Sequence, residues 1–552
     1  MNYFLTYTVY VIILSVLMGI SSWKLFKKMG YSPLFAFIPF YNYFIILKET
    51  KHPKWWAILS YLPIVGPIMM SVFHLYLVKK FGKTLFKDQI LTVILPFIYM
   101  AVINYSKDVE LEDENANDLF LTDEEKNDKK KDTFIGSITF AVVFATIIHV
   151  FVTQPFGIPT GSMERTLLVG DFLFVNKWSY GYRLPMRPVA IPFLQGTIMD
   201  TGQKGNPKDD PKSYVDGVKL PYTRILQFNK PQKNDVVVFN YPQDSVHTAI
   251  DRKDPYVKRC VATAGDTFEM RAGRLFVNGK PETVLGDQEV QHAYVVNTKE
   301  QLDIPTLYKG YGFLPVNEEQ TNSGFRYTFQ GLTNKIAKDI KELPSVIDMQ
   351  ESILPKGTAA VQYKLNSDRT AYTKSIDTAQ SIFPVNKAWN PDWYGPVRIP
   401  KKGDVVAINQ ETLPMYQWII SEYEHNNLEK KNGKIFINGK EANQYTIQQD
   451  YYMMIGDNRD ASLDARFFGF VPEENIVGKP MFTWMSLQGA FSDSSSTYQA
   501  PFKIRWERMF KATNTGEANK TSYWWIAAMI LILFFGWEYF MKLFGKKKTE
   551  DD

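Results

Sequence analysis

The chain has 552 residues, 63 Lys and Arg against 58 Asp and Glu, a net charge of +5, and 45% hydrophobic residues. That length exceeds one ordinary domain, and so small a charge, with no basic stripe interleaved with aromatics, argues against nucleic acid as a partner. Cys260 is the only cysteine, which excludes an intramolecular disulfide and any multi-cysteine metal site.

The N-terminal apolar run carries no Lys or Arg before Lys24, and no small-residue cleavage site follows it. With Lys24, Lys27 and Lys28 directly after it, the run reads as a signal anchor whose C-terminal end stays inside, not as a cleaved signal peptide. Further candidate spans run from about Trp55 to Leu77 and from Ile90 to Ile103. Ile38 to Leu47, interrupted by Pro39 and Asn42, is too short to cross and reads as re-entrant or interfacial. One simple threading puts Lys79, Lys80, Lys83 and Lys87 on the wrong side for the positive-inside rule, so residues 1–106 read as a polytopic module of open topology.

Residues 107–133 form a charged loop ending in Lys129, Lys130 and Lys131, expected to be cytoplasmic. Residues 134–155 give a transmembrane helix running from inside to outside. A second span, 523–541, opens on Trp524 and Trp525, and the lysines of tail 542–552 hold it inside. Residues 156–522 are thus expected outside the cytoplasmic membrane as one domain tethered at both ends.

That domain reads as mainly β, from short runs such as Asp235-Val-Val-Val-Phe-Asn240 and Asp404-Val-Val-Ala-Ile-Asn409. Gly273-Arg-Leu-Phe-Val-Asn-Gly-Lys280 is echoed by Gly433-Lys-Ile-Phe-Ile-Asn-Gly-Lys440. Two explanations stand side by side: internal duplication, or two instances of a common strand-Asn-Gly-strand hairpin. The stretches 196–222 and 267–453 read as insertions on the scaffold, with few sharp signals in 196–222 and 287–394.

Pro159-Thr-Gly-Ser-Met163 follows the 134–155 span, and its Pro and Gly make a turn that presents Ser162, with Met163 as an apolar shoulder. A serine hydroxyl is a weak nucleophile and needs a base. Tyr256-Val-Lys-Arg-Cys260 supplies one: in a strand, Tyr256, Lys258 and Cys260 share a face. Free lysine, with a pKa of about 10.4, is neutral only about one time in a thousand near pH 7.5. Desolvation that lowers it by about two to three units removes roughly 3–4 kcal/mol of that penalty. Such a lysine can act as general base.

Gly456-Asp-Asn-Arg-Asp-Ala-Ser-Leu-Asp-Ala-Arg466 packs charged and turn-forming residues between two apolar runs, the mark of a loop pinned by ion pairs and Asx-type bonds. This string, with 159–171, 235–239 and 256–266, resembles bacterial type I signal peptidase (leader peptidase). The N-terminal region, with Ile38-Pro-Phe-Tyr-Asn42, resembles the extra membrane module of longer members from Bacteroidetes-like bacteria.

The resemblance implies Ser162 as nucleophile, Lys258 as base, and Thr160 hydroxyl with Ser162 N–H as oxyanion hole. It implies Ser462 as the hydroxyl that orients the lysine. Asp457, Arg459, Asp464, Arg466 and Arg259 would shape the site, and Met163 is a candidate substrate contact. Ala461 and Ala465 depart from the asparagine and serine common there. The fold implied is a Greek-key-like core of antiparallel sheets carrying an inserted second β subdomain. The partners implied are signal peptides of preproteins emerging from the export machinery, cut after small residues at −1 and −3, and the lipid bilayer. No metal or organic cofactor is implied.

Competing chemistries fit less well. His247, His292 and His425 sit in no motif for a Ser-His-Asp triad. Ser162 lacks a Ser-x-x-Lys continuation and no His-Glu-x-x-His string occurs. Cys260, flanked by apolar residues, reads as core. A receptor or scaffold that keeps the fold to bind signal peptides without cutting them is the alternative of a different class.

Overall fold

The computed structural model describes residues 2–107, 109–111, 141–199, 209–247, 249–286, 288–312, 314–358, 361–365, 372–376, 382–491, 502–513, 521–529 and 532. The chain divides into two compact units: Met1–Gln154 with Gly181–Leu226 and Ser245–Asp254, and Pro155–Tyr180 with Gln227–Asp244 and Pro255–Asp552.

The first unit is helical at its core, with α1 (Tyr3–Lys28), α2 (Tyr41–Glu49), α3 (Val65–Lys80), α4 (Phe86–Ile94) and α5 (Pro96–Tyr105). Among the described residues only α1 is long and apolar enough to cross a membrane. The expected span 55–77 is broken: a 3-10 helix, Lys54–Tyr61, leads through Pro63 to Ile64, whose φ of 68° starts α3. Phe40, with φ 64°, makes the same joint between the 3-10 helix Pro33–Phe37 and α2. Pro96 breaks the expected 90–103 span into α4 and α5. The charged loop lies almost wholly outside the described residues, as does the start of span 134–155, of which Ala141–Phe151 is helical. Of the C-terminal span, residues 524–529 are helical and most of the rest lies outside the described residues.

Segments 181–226 and 245–254, expected in the outer domain, pack with the N-terminal helices instead. Tyr182 hydroxyl donates to Val150 C=O at 2.9 Å and Tyr3 hydroxyl to Pro185 C=O at 3.1 Å. Ile64 N–H donates to Pro188 C=O at 2.7 Å. The starts of α1 and α3 therefore meet one short segment. Their ends meet as well, because Tyr31 hydroxyl donates to the Glu49 carboxylate at 2.6 Å and Lys80 donates to Glu49 C=O at 2.7 Å. The two helices run the same way, so Lys27 and Lys28 lie at the same end as Lys79 and Lys80.

The second unit is mainly β. Its main sheet is built from β1 (Thr153–Gly157), β2 (Asp171–Asn176), β3 (Val236–Asn240), β4 (Pro255–Ala262), β5 (Tyr451–Ile455), β6 (Val471–Pro472) and β7 (Ile476–Gln488). With two short strands beside β7 it has nine strands, and the path runs β1-β2-β7-β3-β4-β5-β6. The pairs β2–β7, β7–β3, β3–β4, β4–β5 and β5–β6 are antiparallel. Every residue of β3 and β5 is buried, as continuous Val, Ile, Met and Tyr runs require when both faces are covered.

Between β4 and β5 the chain leaves the sheet. Strands Gln291–Thr298, Asn317–Thr321, Gly324–Thr333 and Val346–Glu351 form a separate antiparallel sheet. Helices Ile304–Tyr311 and Asn334–Lys341 help to bury its core of Val296, Tyr327, Phe329, Leu332 and Ile340. The echoed strings form matching three-stranded meanders, 267–281 and 428–441. Asn278-Gly279 and Asn438-Gly439 take the same positive φ, 53° and 75° against 52° and 78°, as a tight hairpin turn demands.

Candidate active site

Ser162 lies in a single 3-10 turn, Gly161–Met163, entered from Thr160 in extended conformation. The turn is anchored from inside. Met163 is 2% exposed, packs with Ile158, Leu167, Leu173 and Val236, and its Sδ accepts the Asp457 N–H at 3.4 Å. Met163, the candidate substrate contact, thus also anchors the turn in the core. Thr160 is exposed.

Lys258 arrives from β4, where it pairs with Val237 of β3. Its Nζ lies 2.7 Å from Ser162 Oγ and 5.3 Å from the centre of the Tyr256 ring. The lysine is 4% exposed. Burial lowers its pKa from 10.5 to about 8, with Asp464 and Asp457 pulling weakly the other way. Cys260 on the same strand is fully buried, and burial pushes its thiol up, so it stays protonated and inert.

The Gly456–Arg466 loop is held by buried ion pairs. Arg259 meets Asp457 with two bonds, at 2.8 and 2.6 Å, and Thr166 hydroxyl donates to the same carboxylate at 2.7 Å. Arg466 meets Asp464 at 2.9 and 2.8 Å, and Gly456 N–H donates to Asp464 at 3.2 Å. Arg459 binds Glu282 at 2.6 and 2.7 Å. Such pairs are costly to desolvate, and removing one partner leaves a buried charge uncompensated. They fix the loop's shape rather than supply chemistry.

Ser462 differs from expectation in its bonding. Its hydroxyl is buried and has no hydrogen-bond partner among the described residues, Lys258 included. It sits over Gly456, where a Cβ would come within 2.2 Å of Ser462 Oγ and 2.5 Å of Ser162 C=O. The loop therefore closes on the Ser162 turn only because residue 456 has no side chain.

Asn458 is among the residues of the string that carry no role in the sequence reading. Asn458 N–H donates to Ser162 C=O at 3.2 Å and its Nδ2 to Gly161 C=O at 3.1 Å. The sequence signal was its place in the dense loop; its target, 297 residues away, is not legible there. Among the histidines, His292 is buried beside Arg274, and burial lowers it to about 3. It bonds to neither Ser162 nor Lys258.

The signal peptidase, peptidase S26 family matches residues 132–357 and 395–485. Residues 34–113 match a family of unknown function, DUF5684. Signal peptidase I of Haemophilus influenzae is 26% identical over 401 residues, 69% of this chain and 75% of the relative. Signal peptidase I of Helicobacter pylori is 25% identical over 386 residues, 69% of this chain and 92% of the relative. That of Pseudomonas aeruginosa is 32% identical over 157 residues, 28% of this chain and 41% of the relative. The first match takes in more than half of the chain, including the serine turn, the lysine strand and the loop that closes on them: the chain belongs to the signal peptidase family, peptidase S26.

Proposed function

We propose that Ser162 and Lys258 form the dyad with which this membrane serine peptidase removes signal peptides from exported preproteins. The observation that carries the reading is the 2.7 Å approach of a buried lysine amine to a serine oxygen. Neutral Lys258 takes the proton from Ser162 Oγ as that oxygen attacks the scissile carbonyl carbon. The developing oxyanion is held by Ser162 N–H and the Thr160 hydroxyl, with the N–H free of any acceptor within its own turn. The lysine then gives its proton to the leaving amine, freeing the mature protein. A water deprotonated by Lys258 attacks the ester and releases the signal peptide.

The substrate's cleavage region adds as an extended strand, with small side chains at −1 and −3. The shared direction of α1 and α3, lysines at one end, supports a module that crosses the cytoplasmic membrane more than once. With 134–155 leaving the membrane at its far end, the catalytic domain lies on the extracytoplasmic side. The sheet at 291–351 stands as the inserted β subdomain.

The test is cleavage of a preprotein by the purified chain in lipid vesicles. Wild type is expected to release the signal peptide and Ser162→Ala to release none; equal cleavage by the two would overturn the reading. Its pH profile is a second check. Because the base works only when neutral, kcat/KM should rise as pH increases through about 8 and level off above it. A profile flat from pH 6 to pH 10 would exclude Lys258 as base.

A further inference from the structure

The peptide joining Gly161 to Ser162 carries both the amide that would meet the oxyanion and an oxygen that takes two donors, Glu164 N–H at 2.9 Å within the turn and Asn458 Nδ2 from the loop. In a planar trans peptide these two groups point in opposite directions. Fixing the Gly161 oxygen on one side therefore aims the Ser162 N–H to the other. Asn458 Nδ2 donates to that oxygen at 3.1 Å, and Asn458 N–H donates to Ser162 C=O at 3.2 Å, so both carbonyls flanking the nucleophile are tied to one residue.

Asn458 is itself held on both sides. Gln291, first residue of the strand Gln291–Thr298, donates its N–H to Asp457 C=O at 3.0 Å and accepts the Arg459 N–H at 3.0 Å. The amide of Asn458 is 6% exposed and its Oδ1 has no partner among the described residues. Its orientation is set by the single Nδ2 bond: turned over, it would put Oδ1 against the Gly161 oxygen, acceptor against acceptor.

We infer that Asn458 is a positioning residue for the oxyanion donor: it holds the Gly161–Ser162 peptide so that the Ser162 N–H faces the reacting carbonyl. This rests on the dyad reading above. The donor's value lies in being aimed before the charge develops, since a donor that must turn during the reaction gives up part of its stabilisation.

The test uses the full chain in lipid vesicles with a peptide spanning a cleavage site. Asn458→Ala removes the Nδ2 donor and keeps the backbone bond. The expected result is a fall in kcat of about 10²-fold, the scale for loss of one oxyanion donor, with KM unchanged. The pH midpoint of the profile stays where Lys258 sets it. A peptide aldehyde, which forms a tetrahedral adduct with the serine, should lose affinity by the same factor, while the cleaved signal peptide binds as before. A variant that cleaves within twofold of wild type, or that loses aldehyde and product peptide equally, overturns the inference. If Asn458→Ala does not fold, Asn458→Asp keeps the volume and loses the donor, and the same binding comparison decides. If wild type forms no adduct and cleaves nothing, the dyad reading fails and this inference falls with it. If wild type cleaves and the variants do too, only the inference fails.

Discussion

Lys258→Met is expected to lower preprotein cleavage by about 10³-fold, while the chain melts at pH 7 no lower than wild type. The two halves of that result have one cause. The lysine is buried so that it loses its proton easily, at about 8 instead of 10.5. Between those pH values the unfolded chain holds the proton and the folded one does not, so stability rises with pH across the window. Below about 8 the folded state carries the full burden of a buried ammonium, about 3 kcal/mol. Methionine is similar in length and uncharged, so it relieves this burden and removes the proposed base together. Thermal melts of both proteins from pH 6 to pH 11 check it: the variant's advantage should shrink above about 8 and vanish past 10.5. A variant that still cleaves at the wild-type rate would remove Lys258 from the mechanism. One that is inactive but far less stable at pH 7 would show that burial was no strain.

Gly456→Ala should be nearly as damaging, and it puts no new charge into the site. The added Cβ would lie 2.2 Å from Ser462 Oγ, 2.6 Å from Ser462 Cβ and 2.5 Å from the Ser162 carbonyl oxygen. None of the three can retreat cheaply. Ser462 is buried, and Ser162 C=O is held by Asn458 N–H at 3.2 Å. The clash must be relieved by moving the loop away from the Ser162 turn. A displacement near 1 Å costs about 10²-fold in rate when reacting groups must meet in line, and crowding of a packed interior costs about 1–3 kcal/mol. Single-turnover kinetics beside a thermal melt would separate the two effects. A Gly456→Ala enzyme within tenfold of wild type would mean that the loop yields without disturbing Ser162.

The sequence made some of this plain because the signals were local. Alternation along Tyr256-Val-Lys-Arg-Cys260 placed the lysine on a dry face, and the strand does place it there, 4% exposed. The charge density from Asp457 to Arg466 foretold a pinned loop, and its pairs with Arg259 and Glu282 are the pins. The echo of Gly273–Lys280 in Gly433–Lys440 became two meanders with the same Asn-Gly turns. What stayed hidden depended on distance or on side. No pattern in five residues says which way a 3-10 turn will point Met163, which packs against Ile158, Leu167, Leu173 and Val236. The sheet at 291–351 was read as featureless because its core is drawn in ones and twos from four strands and two helices. The shared direction of α1 and α3 followed from Pro185, Pro188 and Glu49, which no window over the helices contains.

Strands β4 and β5 lie side by side, yet Arg259 and its partner Asp457 are 198 residues apart in the chain. Loop-closure entropy grows only logarithmically, at about 0.6 kcal/mol per doubling, so the long excursion burdens the folded state little. Its effect falls on timing. A chain still being synthesised can pair β3 with β4 and carry both Ser162 and Lys258, but Gly456, Asp457 and Asn458 have not yet been made. Until they arrive, the Ser162 turn is seated on β3 and β4 through Met163 and Lys258 alone, without the loop that closes over it. The serine turn, the lysine strand and the loop that closes on them are thereby complete only after the whole excursion has been made.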